Sequence, residues 1–251
     1  MYLIPMLVFM VLDWVTDSMG SKIENAIWFY LEKMDRFTID QFWFHVIHFS
    51  KSVRDKCYNC RRLKPVAFVR KAKDFANDIK DRFLTDINPF VVEIGSNDGI
   101  MLQNFADWSI RHLGIEPSAN VAKVAMDKGV NTMVDFFDEK LAIKIVEQNG
   151  QADAFIAANV MCHLPYFHSI VSGISKLIKK TGIVVFEDPY LGDVIEKISY
   201  DQIYDEHTFL FSVNSINHIF SEYGMEVIDV MPQETHGGSM RYIIGHKGVR
   251  I

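Results

Sequence analysis

One short stretch limits the fold more than any other: an apolar run that empties into a glycine-bearing bend. Residues Val91-Val92-Glu93-Ile94-Gly95-Ser96-Asn97-Asp98-Gly99 follow the break at Asn88-Pro89. A strand inside a parallel sheet is covered on both faces, so it reads as continuous apolar sequence rather than as alternation. From residue 90 onward the chain then alternates between strand-like and helix-like segments. Further strands are expected at 110–115 (IRHLGI), 131–134, 152–157 (ADAFIA) and 183–187 (IVVFE), with helices at 121–128, 139–147 and 167–178. A helix over 213–223 ends at Gly224. Late strands at 225–231 and 241–245 are expected to pair around the Gly237-Gly238 turn. This spacing predicts an α/β fold with a doubly wound, mostly parallel sheet.

The bend has a chemistry of its own. In an open parallel sheet, ligands bind beyond the carboxyl ends of the strands near the switch point. Gly95 and Gly99 lack Cβ and let backbone come close there. The spacing is E-x-G-x-x-x-G, not the dinucleotide spacing G-x-G-x-x-G. Glu93 and Asp98 would repel a pyrophosphate but suit a ligand with an amino group. Glu116, 17 residues beyond Gly99 and at the end of the second strand, is placed to accept hydrogen bonds from two ribose hydroxyls. At this stage an NAD-type or ligand-free Rossmann-like domain stays open beside a cofactor with an amino group.

The 251 residues divide into two regions, 1–88 and 89–251. The first reads as mostly helical. Aromatic and apolar residues cluster at 23–31 and 37–49, and apolar positions 72, 75, 76, 79, 83 and 84 have helical spacing over 71–84. Residues 1–12 are nearly all apolar, yet shorter than the ~20 that span a bilayer. No basic residue precedes them, so core or interface packing is expected, with an uncleaved anchor as the other reading. Residues 51–82 carry a local charge of +7 and the remainder −13, within a net of −6. That balance argues against nucleic acid as the partner and leaves the basic stretch as a solvated helix face or a contact for phosphates, anionic lipid or a partner. Three cysteines, Cys57, Cys60 and Cys162, make no disulfide framework and point to a reducing, cytoplasmic compartment.

Six motifs in one order carry a resemblance: 93–102 (EIGSNDGIML), 114–121 (GIEPSANV), 159–163 (NVMCH), 187–191 (EDPYL), 200–212 (YDQIYDEHTFLFS) and 236–241 (HGGSMR). Together they resemble the sugar C-methyltransferases, which methylate a carbon of nucleotide-linked 4-keto-deoxysugars. The resemblance implies a class I methyltransferase core with S-adenosylmethionine as cofactor, bound by Glu93, Gly95, Ser96, Asn97, Asp98, Gly99, Glu116 and Asn159. It implies Tyr204, Glu206 and His207 as the catalytic Tyr-x-Glu-His stretch, His207 as general base and His163 beside it. Tyr190, His236 and Arg241 are the expected substrate contacts.

Two features depart from that family. Its members usually begin with a zinc domain of four cysteines; here only Cys57-x-x-Cys60 remains, with His45 and His48 upstream, and core packing of those histidines is the favoured alternative to zinc. Members also carry a second nucleotide-binding-like domain, whereas this sequence runs to Ile251, which leaves its grip on a sugar nucleotide open. A neutral His suits removal of a proton next to a ketone. Glu206 or Asp205 would orient it, and Tyr204 or His163 would donate to the enolate oxygen. His207 and His163 are also open to structural hydrogen bonding, His236 to a plain turn role and Tyr190 to capping a strand. Three functions stay in view: a C-methyltransferase on a small molecule such as a sugar nucleotide, an O- or N-methyltransferase, and a cofactor-binding module that needs a partner chain, docked through the N-terminal region.

Overall fold

A computed structural model describes residues 58–199, 202–203 and 206–249, with side chains from residue 69 onward except that of His236. The apolar clusters before residue 58, His45, His48, Cys57, Tyr204 and Asp205, and the side chain of Cys60, lie outside the described residues. Along the chain, one unit runs to Pro65 and a second from Val66. Among the described residues no helix is long and apolar enough to cross a membrane.

The second unit is built on a seven-stranded sheet in the order β3-β2-β1-β4-β5-β7-β6. Its strands are β1 Phe90–Ile94, β2 Arg111–Ile115, β3 Thr132–Met133, β4 Ala152–Ala158, β5 Ile178–Pro189, β6 Met225–Gln233 and β7 Ser239–His246. The first five pair in parallel. β7 inserts antiparallel between β5 and β6, joined to β6 through the Gly237-Gly238 turn. The order reverses between β1 and β4, so the loops after these two strands flank the switch point, where such sheets bind ligands.

Both faces of the sheet are covered. Helices α1 Tyr58–Phe83, α2 Leu102–Asp107 and α3 Ala119–Asp127 set Phe75, Ile79, Leu102, Phe105 and Ala125 against Val91, Ile156, Val185 and Ile243. On the other face α4 Glu139–Asn149, α5 Phe167–Leu177 and α7 Val213–Ser221 cover Val92, Phe155, Phe186 and Tyr242. Strand residues separated by two therefore share a face, as pleating requires. A short helix α6, Leu191–Glu196, follows β5.

Segment ends shift where pairing outranks local pattern. The expected helix over 167–178 stops at Leu177, because Ile178 pairs with Ala152 and opens β5 five residues before the apolar run at Ile183. The helix expected over 71–84 starts at Tyr58. Helix starts elsewhere follow capping chemistry. Asp138 Oδ1 accepts from the Leu141 amide at 2.7 Å, satisfying one of the orphan donors at the start of α4. Asp138→Ala is expected to cost about 1 kcal/mol, read as a lower urea midpoint with an unchanged m-value.

Candidate active site

The bend after β1 is held in one shape by its neighbours. Gly95, Asn97 and Gly99 all have positive φ, at 59, 52 and 78°. A Cβ on Gly95 would stand 2.4 Å from Cγ2 of Val160, and one on Gly99 would stand 2.9 Å from Cγ2 of Val130. The first glycine thus lets the loop after β1 touch the loop after β4, and the second seats the bend against the end of α3. Gly95→Ala is expected to destabilise the fold by about 1–2 kcal/mol through the left-handed backbone alone. A denaturation midpoint equal to that of the natural chain would show that the bend carries no such constraint.

Glu116 ties this bend to the end of β2. Its Oε2 accepts from the Asn97 amide at 3.0 Å and its Oε1 from the Ser118 amide at 2.9 Å. Each oxygen keeps a second lone pair for a ligand hydroxyl. Asp98 pairs with Lys128 Nζ at 2.8 Å on the outer side of the bend. Glu93 is different: it is buried, and Oε2 has no hydrogen-bond partner among the described residues. Burial pushes its carboxyl well above the ordinary range, and the charges of Glu116 and Asp98 push it further. Ser96 Oγ and Asn159 Oδ1 are also buried without partners. A buried, unpaired carboxylate beside two more acids fits a cationic ligand. S-adenosylmethionine has both an ammonium and a sulfonium, so these residues fit it.

The loop after β4 supplies the second half of the site. Asn159 (φ 56°) donates its amide to the Glu187 carbonyl at 2.7 Å, and Met161–His163 forms a 3-10 turn. The segment 206–211 folds onto that turn, the Phe209 amide donating to the Cys162 carbonyl at 3.1 Å. Phe209 and Phe211 pack against Phe167, which anchors the segment in the core. His163 and His207, 44 residues apart, are thereby brought to 5.1 Å between ring centroids. His163 Nδ1 bonds the Glu206 carbonyl and His207 Nδ1 bonds the Gln202 carbonyl, each at 2.7 Å. A carbonyl only accepts, so both Nδ1 atoms carry hydrogen, which in a neutral imidazole leaves Nε2 as the basic nitrogen. Burial raises the Glu206 carboxyl, and the neighbouring His163 partly offsets this.

The remaining expected residues sit around the end of β5. The Tyr190 amide donates to the Gly238 carbonyl at 3.1 Å, and Tyr190 bridges to Phe211. That places it between the 237–239 turn and the histidine segment. Arg241, paired across from Glu187 on β7, donates from Nε and Nη2 to Glu187 Oε2 at 3.2 and 2.9 Å. Its guanidinium also lies 3.8 Å from the centre of the Phe75 ring, and Thr235 Oγ1 donates to the other Glu187 oxygen at 2.6 Å. Arg241 therefore knits β5, β7 and α1 together. The backbone of His236 belongs to the Thr235–Gly237 turn.

Sequence reading gave no role to Asp188 or Tyr242. Both side chains are fully buried, and neither Asp188 oxygen nor the Tyr242 hydroxyl has a hydrogen-bond partner among the described residues. Burial pushes Asp188 up to about 7, while the Cys162 thiol and the Cys162 and Val160 amides beside it draw it back. The signal was present: an acid placed two residues after Ile183-Val184-Val185-Phe186, a run buried on both faces.

A doubly wound sheet with an acidic, glycine-bearing bend after β1, and an acid at the end of β2 closing that bend, defines a class I S-adenosylmethionine-dependent methyltransferase. Family comparison gives the same class. Residues 68–230 match the family described as "Methyltransferase domain", and the chain belongs to that family. It is similar to C-methyltransferase NovU of Streptomyces niveus, at 34% identity over 157 residues; these span 62% of this chain and 37% of that protein. Magnesium protoporphyrin IX methyltransferase (ChlM) from Synechocystis, solved with bound SAH, superposes with a TM-score of 0.57 at 13% identity, covering 76% of this chain and 88% of its own. An S-adenosylmethionine-dependent methyltransferase from Clostridium acetobutylicum gives 0.56 at 10% identity, covering 81% and 100%. These two likenesses speak to the fold.

Proposed function

We propose that the chain is a carbon methyltransferase acting next to a ketone in a small molecule, with a nucleotide-linked keto-deoxysugar as the substrate class. The observation that carries this reading is the His163–His207 pair, with both Nδ1 atoms tied to carbonyls and both basic nitrogens set by that tie. The similarity to a C-methyltransferase and the six sequence motifs support it.

Glu93, Ser96, Glu116 and Asn159 would hold S-adenosylmethionine, which supplies an electrophilic methyl group. What the protein must add is a carbon nucleophile. His207 Nε2 takes the proton from the carbon beside the ketone, and the electron pair moves toward the ketone oxygen. A fixed Nδ1–H keeps the ring in the tautomer that can accept at Nε2, and the Gln202 carbonyl steadies the imidazolium that forms. His163, or Tyr204 from the same motif, donates to the developing enolate oxygen. Glu206, half-buried beside His163, sets the local charge. Tyr190 and the His236 turn border the acceptor, and Arg241 holds the end of β5 in register.

The test uses keto-sugar nucleotides deuterated at the carbon beside the ketone. Carbon methylation must release that deuterium to water in step with product. Transfer to oxygen or nitrogen leaves it in place, and methylated product that retained all the label would overturn the reading.

A further inference from the structure

The same two imidazoles share their corner with a third ligating group. The Cys162 thiol is buried, and Cys162 Sγ and one ring nitrogen from each of His163 and His207 lie within 4.8 Å of one another. We propose that Cys162, His163 and His207 form a site for a soft divalent cation of the zinc class, and that its occupancy shuts off methyl transfer. The inhibitory half rests on His207 being the base; the binding half does not.

Three observations converge. Atoms bound to one tetrahedral zinc at about 2.0–2.3 Å stand roughly 3.3–3.7 Å apart, so side-chain rotations that close the triangle by about 1 Å complete the set. Both histidines already donate Nδ1–H to backbone carbonyls, the Glu206 and Gln202 oxygens. That is the usual outer partner of a metal-binding imidazole, fixing Nε2 as the ligating atom. Beside the thiol lies the fully buried Asp188, whose oxygens have no hydrogen-bond partner among the described residues. A buried carboxylate beside the thiol favours a cation there.

The chemistry balances simply. The cation accepts lone pairs from Sγ and two imidazole nitrogens, and the thiol proton leaves to solvent. A nitrogen bound to the cation no longer accepts a substrate proton, so the same atom is either base or ligand. Cysteine, with two histidines and a fourth position open to water or substrate, selects zinc and cobalt over magnesium or calcium.

The experiment titrates cobalt(II) into the full chain carrying Cys57→Ser and Cys60→Ser, so that any thiolate signal belongs to Cys162. One equivalent is expected to give an ultraviolet thiolate-to-cobalt band with intense tetrahedral visible bands. Cys162→Ala should abolish the ultraviolet band and retain methyl transfer. Zinc should inhibit the parent, a chelator should restore it, and Cys162→Ala should need about tenfold more zinc for the same inhibition. His163→Gln gives a second spectroscopic check if the alanine variant fails to fold. Weak octahedral bands alone, or an ultraviolet band that survives Cys162→Ala, would overturn the site. A normal spectrum with unaltered turnover at saturating zinc would instead overturn the role of His207 and leave the site standing.

Discussion

Replacement of His207 by alanine is expected to lower kcat by about 10²–10⁴-fold, the usual contribution of a positioned general base. Donor affinity should stay unchanged, because the groups expected to hold the donor, Glu93, Ser96, Glu116 and Asn159, belong to β1 and to the loops after β1, β2 and β4, outside the segment 206–211. A purely structural histidine would behave otherwise. Loss of the Nδ1–H bond to the Gln202 carbonyl would loosen the segment 206–211 and weaken both substrates together. His207→Gln separates the two cases, since its amide NH₂ can still donate to that carbonyl while the group accepts no proton. Both variants should lose exchange of the acceptor's α-deuterium with water to the same degree as they lose turnover. Full turnover by either would remove the base, and the enolate route with it.

The sequence made the sheet legible because its strands are buried on both faces. Val91-Val92, Ala154-Phe155-Ile156 and Val184-Val185-Phe186 leave no room for alternation. Their pairing partners were less visible. β5 begins at Ile178, ahead of Lys179, Lys180 and Gly182, and only its neighbour Ala152 explains why that polar stretch is extended. In the site, the E-x-G-x-x-x-G spacing located the bend but not the reason for its first glycine. Gly95 makes room for Val160, a residue of the loop after β4, 65 positions away. Long-range contacts of this kind have no local signature.

Charged residues followed the same division. Glu116 could be picked out by its place after a strand, while its two bonds to the Asn97 and Ser118 amides depend on how the bend closes. Arg241 stood out in the motif 236–241 as a substrate contact, and the fold adds a structural bond to Glu187 that only the antiparallel insertion of β7 creates. The histidine pair was legible as two separate motifs. Its geometry was not, because two main-chain carbonyls, from Gln202 and Glu206, set the tautomers. A carbonyl is present at every position and marks none in the sequence.

Glu93→Gln is expected to move stability and affinity in opposite directions. In the ligand-free protein the Glu93 carboxyl ionises well above its ordinary value, through burial first and then the charges of Glu116 and Asp98. Between the ordinary and the folded-state value the native state therefore holds more protons than the unfolded chain. Stability must fall as pH rises through that window and is fully present below it. The amide has nothing to ionise, so the variant should melt higher than the natural chain at the alkaline end and show a flatter profile. Donor affinity should drop by about 10–100-fold, since a hydrogen bond to a charged group contributes about 1.5–3 kcal/mol. Calorimetry with two ligands identifies which charge Glu93 meets. S-adenosylhomocysteine keeps the amino group and lacks the sulfonium. Equal losses for donor and product place the ammonium on Glu93, whereas a loss confined to the donor places the sulfonium there. If neither ligand bound more weakly to the glutamine variant, the buried acid would have no part in holding the cofactor, and its unpaired Oε2 would be a cost to the fold without a use.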